Sequence, residues 1–198
     1  MTVEGAGGVG GIATTLTALA MSAAAPLGAQ PQPPAQPAQD RFRAGTEARV
    51  PAEPADVASI DAILAAVYDV ISGPAGKRRD WDRMRSLFTQ DARMMPLGPR
   101  GLRIGGVEDY IAVSGPLLES QGFIEREIGR VTEEYGGIAH VFSAYEARAV
   151  AGGPVIMRGI NSFQLVRHGG RWWVASIMWQ PETPGNPIPA RYLRRGKG

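Results

Sequence analysis

The sequence predicts an α+β domain in which helices come first and an antiparallel sheet follows. Three observations predict it. Apolar residues recur with helical spacing over 56–120. Extended, β-branched and aromatic runs take over from 123 to 180. The Gly-Gly pairs 136–137, 152–153 and 169–170 divide those runs, as hairpin turns do. Helices followed by a meander is an α+β order.

The domain expected from this pattern is 56–193, in a chain of 198 residues with 44% hydrophobic residues. Ahead of it, 1–29 reads as a signal peptide. Its small, apolar centre at 12–25 is followed by sites a signal peptidase accepts, Ala23-Ala24-Ala25 and Leu27-Gly28-Ala29, although no Lys or Arg precedes it. That centre is shorter and less apolar than the roughly 20 residues a membrane span needs. The reading therefore gives a secreted or periplasmic protein with no integral membrane segment once mature, or a cytoplasmic one if the leader is not used. Residues 30–55 are rich in Pro, Ala and Gln, bury too little to offset ordering entropy, and read as a linker. Residues 194–198 form a basic tail.

Within the domain, Asp56 is the expected N-cap of a first helix. Ile60, Ile63, Leu64, Val67 and Ile71 make its apolar stripe, and Gly73-Pro74 ends it. Asp80 caps a short second helix with Trp81, Met84, Leu87 and Phe88 on one face. The segment DARMMPLGPRGLRIGG reads as short strands or irregular chain. A third helix covers 107–120, with Gly115-Pro116 as a kink or break. Four extended runs follow at 123–134, 138–150, 155–167 and 171–180.

Two-residue turns fix a trial register. Leu165 then faces Val174, Phe163 faces Ser176, Asn161 faces Met178 and Gly159 faces Gln180. Ala144 faces Asn161, Glu146 faces Gly159, Gly129 faces Ala144 and Glu127 faces Glu146. In this register Phe142, Phe163, Leu165, Trp172, Val174 and Met178 share a face with Glu127, His140, Glu146, Asn161, Ser176 and Gln180. An apolar face with a few converging polar groups is what a ligand pocket needs. The opposite face carries Tyr145, Ile160, Trp173, Ile177 and Trp179, and its apolar character predicts a homodimer through the outer sheet face.

Composition narrows the chemistry. The chain has no cysteine, so thiolate catalysis and zinc–thiolate sites are excluded. A net charge of +2 with interspersed signs is no nucleic-acid footprint. Two histidines without ligand spacing predict no metal site, and no glycine loop predicts a phosphate-bearing cofactor.

Three helices followed by a sheet ending in GGRWWVASIMW, together with DWDRMRSLFTQDARMMPL, resemble the nuclear transport factor 2-like superfamily in its SnoaL-like branch, over about 56–180. The resemblance implies a cone-shaped fold, its sheet wrapped around a helix-covered cavity. It also implies a range of functions, from ketosteroid isomerases and cyclases to subunits without catalysis. Isomerase-like members carry an Asp just after the segment matching LFTQDARMMPLGP; the nearest equivalent here is Pro96, which speaks against that chemistry. Tyr68 lies on the helix that carries their oxyanion tyrosine.

Three functions follow. The first is binding of a small, largely apolar molecule in the cone, with Tyr68, Phe142, Asn161, Phe163, Ser176, Met178 and Gln180 as contacts. The second is an isomerase, cyclase or lyase using Glu127 or Glu146 as base with help from His140, because facing carboxylates in an apolar site raise one another's pKa. The third is a protein-interaction module using the Trp-rich face.

Overall fold

The structure, a computed structural model, describes residues 45–46 and 50–194. The expected leader, most of the linker and the end of the basic tail lie outside the described residues. All that is described belongs to one compact unit, Arg43–Gly198.

Four helices, α1 (Pro54–Val57), α2 (Ile60–Ile71), α3 (Trp81–Leu87) and α4 (Val107–Gln121), pack on six strands. The strands are β1 (Phe88–Gly98), β2 (Gly101–Leu102), β3 (Ile124–Tyr135), β4 (Ile138–Arg148), β5 (Val155–His168) and β6 (Arg171–Pro181). They form one sheet in the order β2-β1-β6-β5-β4-β3. The expected meander is β3–β6. The segment read as short strands or irregular chain holds most of β1 and all of β2, and β1 lies parallel to β6 and makes the sheet mixed.

Local chemistry explains the helices. The cap of α2 is Ser59 and not Asp56: its hydroxyl accepts from the Ala62 N–H at 3.1 Å. Asp56 sits in α1, where Arg83 grips it through two N–H groups at 2.7 and 2.9 Å. Helix α1 thus begins at Pro54, inside the stretch read as a linker. Asp80 caps α3 by accepting from the Arg83 N–H at 2.9 Å. Helix α4 runs unbroken through Pro116. Gly115 lets it approach α3, since a Cβ there would lie 3.2 Å from the Trp81 ring.

A buried arginine ties the two long helices together. Arg79 is 6% exposed and its guanidinium donates to the carbonyls of Ile71 at 3.0 Å, Gly73 at 2.7 Å and Leu118 at 2.9 Å. Ile71 ends α2 and Leu118 lies in the last turn of α4, so one cation satisfies carbonyls at both helix C-termini. Gly73 is required there: a Cβ would sit 2.7 Å from the guanidinium.

The core lies between the helices and one face of the sheet, where Ile63, Leu64 and Val67 of α2 belong to one apolar cluster with Val141, Phe163, Leu165 and Val174. The register differs from the trial one at three places. The β4–β5 turn takes up more than two residues, and Asn161 faces Ser143 instead of Ala144. A bulge at Ala175 makes Phe163 face Ile177 and Asn161 face Trp179. A bulge at Ile128 makes Glu127 face Tyr145, while Gly129 still faces Ala144. Each is a one-residue slip, and each turns side chains over to the other face.

The outer sheet face carries a C-terminal strap. Ile188 is buried, Tyr192 stacks on Phe142 with ring centroids 5.3 Å apart, and the Tyr192–Leu193 backbone crosses Gly129 so closely that a Cβ would meet it at 2.5 Å. A chain ending at Pro181 should lose about 3 kcal/mol of apolar burial. Its melting temperature should fall by roughly 6–12 °C; unchanged melting in differential scanning calorimetry would show that the strap is not part of the cooperative unit. Arg79→Met should cost at least as much, because it leaves buried carbonyls unpaired, and urea titration measures it.

Candidate functional site

Between the helices and the inner sheet face lies a cavity of about 190 Å³. One water needs roughly 10–15 Å³ by this kind of volume, so a compact organic molecule fits. Its walls are apolar: Val67 and Ile71 from α2, Met84 and Phe88, Met94 from β1, Leu118 from α4, and Ile177 and Trp179 from β6. Five polar side chains reach it, those of Tyr68, Tyr110, Glu125, Tyr145 and Asn161, with Ser114 beside them. Gly159 makes room for the Tyr145 phenol, since a Cβ would lie 2.6 Å from its oxygen.

Among the described residues Glu125 is the only carboxylate of the cavity wall. Asn161 Nδ2 donates to its Oε1 at 3.0 Å. Among the described residues no Lys or Arg pairs with it, and burial pushes its carboxyl up to about 7, against the lowering effect of the Asn161 bond. Burial, and then the Glu125 charge, push the Tyr110 and Tyr145 hydroxyls well above their ordinary value. The Tyr68 hydroxyl is raised for the same reasons, against bonds from Ser143 and Asn161 that lower it. All three therefore remain hydrogen-bond donors at neutral pH.

A second row of groups stands behind the cavity. The Asn161 Nδ2 donates to the Tyr68 oxygen at 3.1 Å, Tyr68 lies 2.7 Å from Ser143 Oγ, and Ser143 donates to Glu127 Oε1 at 2.6 Å. Arg130 donates to Glu127 Oε2 at 3.2 Å and also pairs with Asp61 of α2. Tyr68, Glu125, Glu127, Arg130 and Asp61 also line a larger groove of about 1220 Å³ between α2 and β3.

Comparison with solved structures identifies this arrangement of elements. A protein of unknown function with a cystatin-like fold from Nostoc punctiforme matches with a TM-score of 0.52, at 12% identity, over 66% of this chain and 92% of that one. A domain of unknown function with a cystatin-like fold from the same organism matches with a TM-score of 0.50, at 9% identity, over 63% and 75%. A nuclear transport factor 2-like protein of unknown function from Silicibacter pomeroyi matches with a TM-score of 0.47, at 17% identity, over 63% and 94%. The fold is cystatin-like, with helices packed on one face of a curved sheet. No protein-family model and no curated protein sequence matches the chain.

The cone sorts the expected site residues into two groups. Tyr68 and Asn161 line the cavity. Phe163 packs behind it, edge-on to Tyr68 with ring centroids 6.4 Å apart. Glu127 is on the same inner face, one layer away. The others are on the outer face, because of the register slips. Glu146 is bound there by Arg148 and Arg126, each at 2.8 Å, and those bonds hold its carboxyl below the ordinary range. His140 bonds Ser162 at 3.0 Å and meets the Phe142 edge. Phe142, Met178 and Gln180 line a separate crevice under the strap. Ser176 lies on the same outer face, opposite Gln164. The facing Glu127–Glu146 pair does not exist: Glu127 faces Tyr145, and Arg126 faces Glu146. Pro96 lies in β1 beside Trp179 and does not line the cavity. Among the described residues no cluster of three or more His, Asp or Glu side chains could hold a metal ion.

Sequence reasoning missed Glu125, Tyr110, Tyr145 and Trp179 as cavity residues. The signal for Glu125 was Gly129, an isolated glycine within a strand, which marks a bulge or a close backbone approach. Here it does both.

The raised Glu125 pKa fixes a pH dependence of stability. The folded state binds its proton more tightly than the unfolded chain does. Its contribution is therefore full below about 4.5 and is lost as pH rises through about 7. Glu125→Gln should melt like wild type below about pH 4.5, progressively higher than wild type between about 4.5 and 7, and by a constant margin above that. A difference that stays flat across that window would mean Glu125 does not titrate there.

Proposed function

We propose that the cone takes a small, largely apolar molecule and that Glu125 acts on it as a general base or acid. The observation that carries this reading is a carboxylate on a largely apolar cavity wall that has, among the described residues, no cationic partner. Such a group has a pKa matched to proton transfer near neutral pH. The chemistry it supports is removal or relocation of a carbon-bound proton, the class that isomerases, cyclases and lyases share. The base is Glu125 in place of Glu127 or Glu146, which both have cationic partners. Fold alone carries no activity, so the reading rests on the site.

The interaction-module reading has less support. Trp172 belongs to the core cluster and Trp179 lines the cavity, while Trp173 is stacked under the Arg171 guanidinium at 3.6 Å. Self-association belongs to the proposal only through the outer face, where Val131 and Met178 stay partly exposed beside the strap. Export belongs to it on the leader alone; among the described residues no helix is long and apolar enough to cross a membrane.

A nitro-substituted benzisoxazole tests the base directly. It is a compact, apolar bicycle whose ring opens when a base takes one carbon-bound proton and the N–O bond breaks to release a phenolate. The opening rate should rise with pH through about 7 and fall by about a hundredfold or more in Glu125→Gln. Equal rates in the two proteins would reduce the function to binding.

A further inference from the structure

The groups behind the cavity form a chain whose donor directions are all determined. Glu127, ion-paired with Arg130, accepts from Ser143. A serine hydroxyl has one proton, so Ser143 must accept from Tyr68. The Tyr68 proton is thereby committed, and its oxygen can only accept from Asn161. The Asn161 amide must then present Nδ2, and not Oδ1, to the side it shares with Glu125. Reversing that amide would set a carbonyl oxygen against a carboxylate. The chain runs through Ser143, 0% exposed, and Tyr68, 6% exposed.

We propose that Glu127 is a positioning residue: through Ser143 and Tyr68 it locks the Asn161 amide with its N–H toward Glu125, so that the cone always offers the working carboxylate one donor. It rests on the reading of Glu125 as that carboxylate. The device separates two tasks. Glu125 faces the ligand without a cation, while the charge that orders its partner is held by Arg130 and Asp61 on the groove side. The titratable groups facing Glu125 are Tyr68 from α2, Tyr110 from α4, Glu127 from its own strand and Tyr145 from β4; β5 and β6 present Asn161, Met157 and Trp179, which carry no charge.

Two variants test the lock, each read by carboxyl carbon NMR of Glu125 and by the Asn161 side-chain amide resonances. Ser143→Ala removes the acceptor of the Tyr68 proton, which then turns to Asn161 Oδ1. The amide reverses, and the Glu125 titration midpoint should rise by about one pH unit, a tenfold change in proton affinity. Tyr68→Phe frees the amide from the other side and should broaden or split its resonances, so the proposal stays testable if Ser143→Ala does not fold. Glu127→Asp keeps an acceptor and should retain most of the wild-type midpoint. A folded Ser143→Ala protein with wild-type midpoint and unmoved amide resonances would overturn the lock. Loss of the near-neutral midpoint in the wild type itself, with Asn161 resonances still moved by Ser143→Ala, would instead sink the reading of Glu125 and leave the lock standing.

Discussion

The site depends on one extra residue in one strand. Near the β3–β4 turn, the inner-facing residues of β3 are Arg130, Thr132 and Glu134, opposite Ser143, Val141 and Ala139. Continued without interruption, that parity would send Ile128 and Arg126 into the cone and turn Glu125 and Glu127 out. The bulge at Ile128 reverses it, and Glu127 and Glu125 then face Tyr145 and Ala147. A bulge needs space on its convex side, and Gly129 supplies it under the strap backbone. The bulge at Ala175 does the same for β6, turning Ile177 and Trp179 inward. The polar and apolar halves of the cavity wall are both set by these interruptions.

Three glutamates within one hairpin then show how environment alone assigns different roles to one residue type. Glu146, on the outer face, is held by two guanidinium groups and stays ionised as a structural charge. Glu127, one layer behind the cavity, has Arg130 on one oxygen and Ser143 on the other. Glu125 accepts from an amide N–H, has among the described residues no guanidinium on either oxygen, and burial pushes its carboxyl up to about 7. Distance along the chain does not separate these cases. Access of a cation does.

That separation explains what could be read from the sequence. The helical stripe of α2, the Asp80 cap, the four long strands and the tight turns at Gly136-Gly137 and Gly169-Gly170 rest on local chemistry, and local chemistry is legible. Tyr68 and Asn161 could be picked out as candidates because a mid-element polar group among apolar ones must find a partner. Ser59 displaced Asp56 as a cap because Arg83, 27 positions on, takes Asp56 instead, and nothing local announces that. The parity of three strands was lost to two bulges and a longer turn, which exchanged Glu125 for Glu146 and Trp179 for Met178. An apolar residue is plausible on either face of a sheet covered on both sides, so the hydrophobic pattern could not expose the slip.

The strands supply Glu125, Tyr145 and Asn161, but the cavity is closed by helices, and these are held by a different device. Tyr68 comes from α2 and Tyr110 from α4, two helices separated in sequence by α3, β1 and β2. Arg79 joins the C-terminal ends of both, and Glu119 of α4 accepts from the Arg79 N–H at 3.0 Å and from the Trp81 indole at 3.1 Å. The two helices are thus fixed relative to one another by hydrogen bonds at the start of β3, where Gly73 pairs with Phe123 and the Ser72 hydroxyl accepts from the Glu125 N–H at 3.0 Å. An apolar pocket cannot be held open by its own contents, because burial favours collapse. Here the helix ends are held by a guanidinium bound to backbone carbonyls outside the cavity wall, and the wall around Glu125 can remain largely apolar.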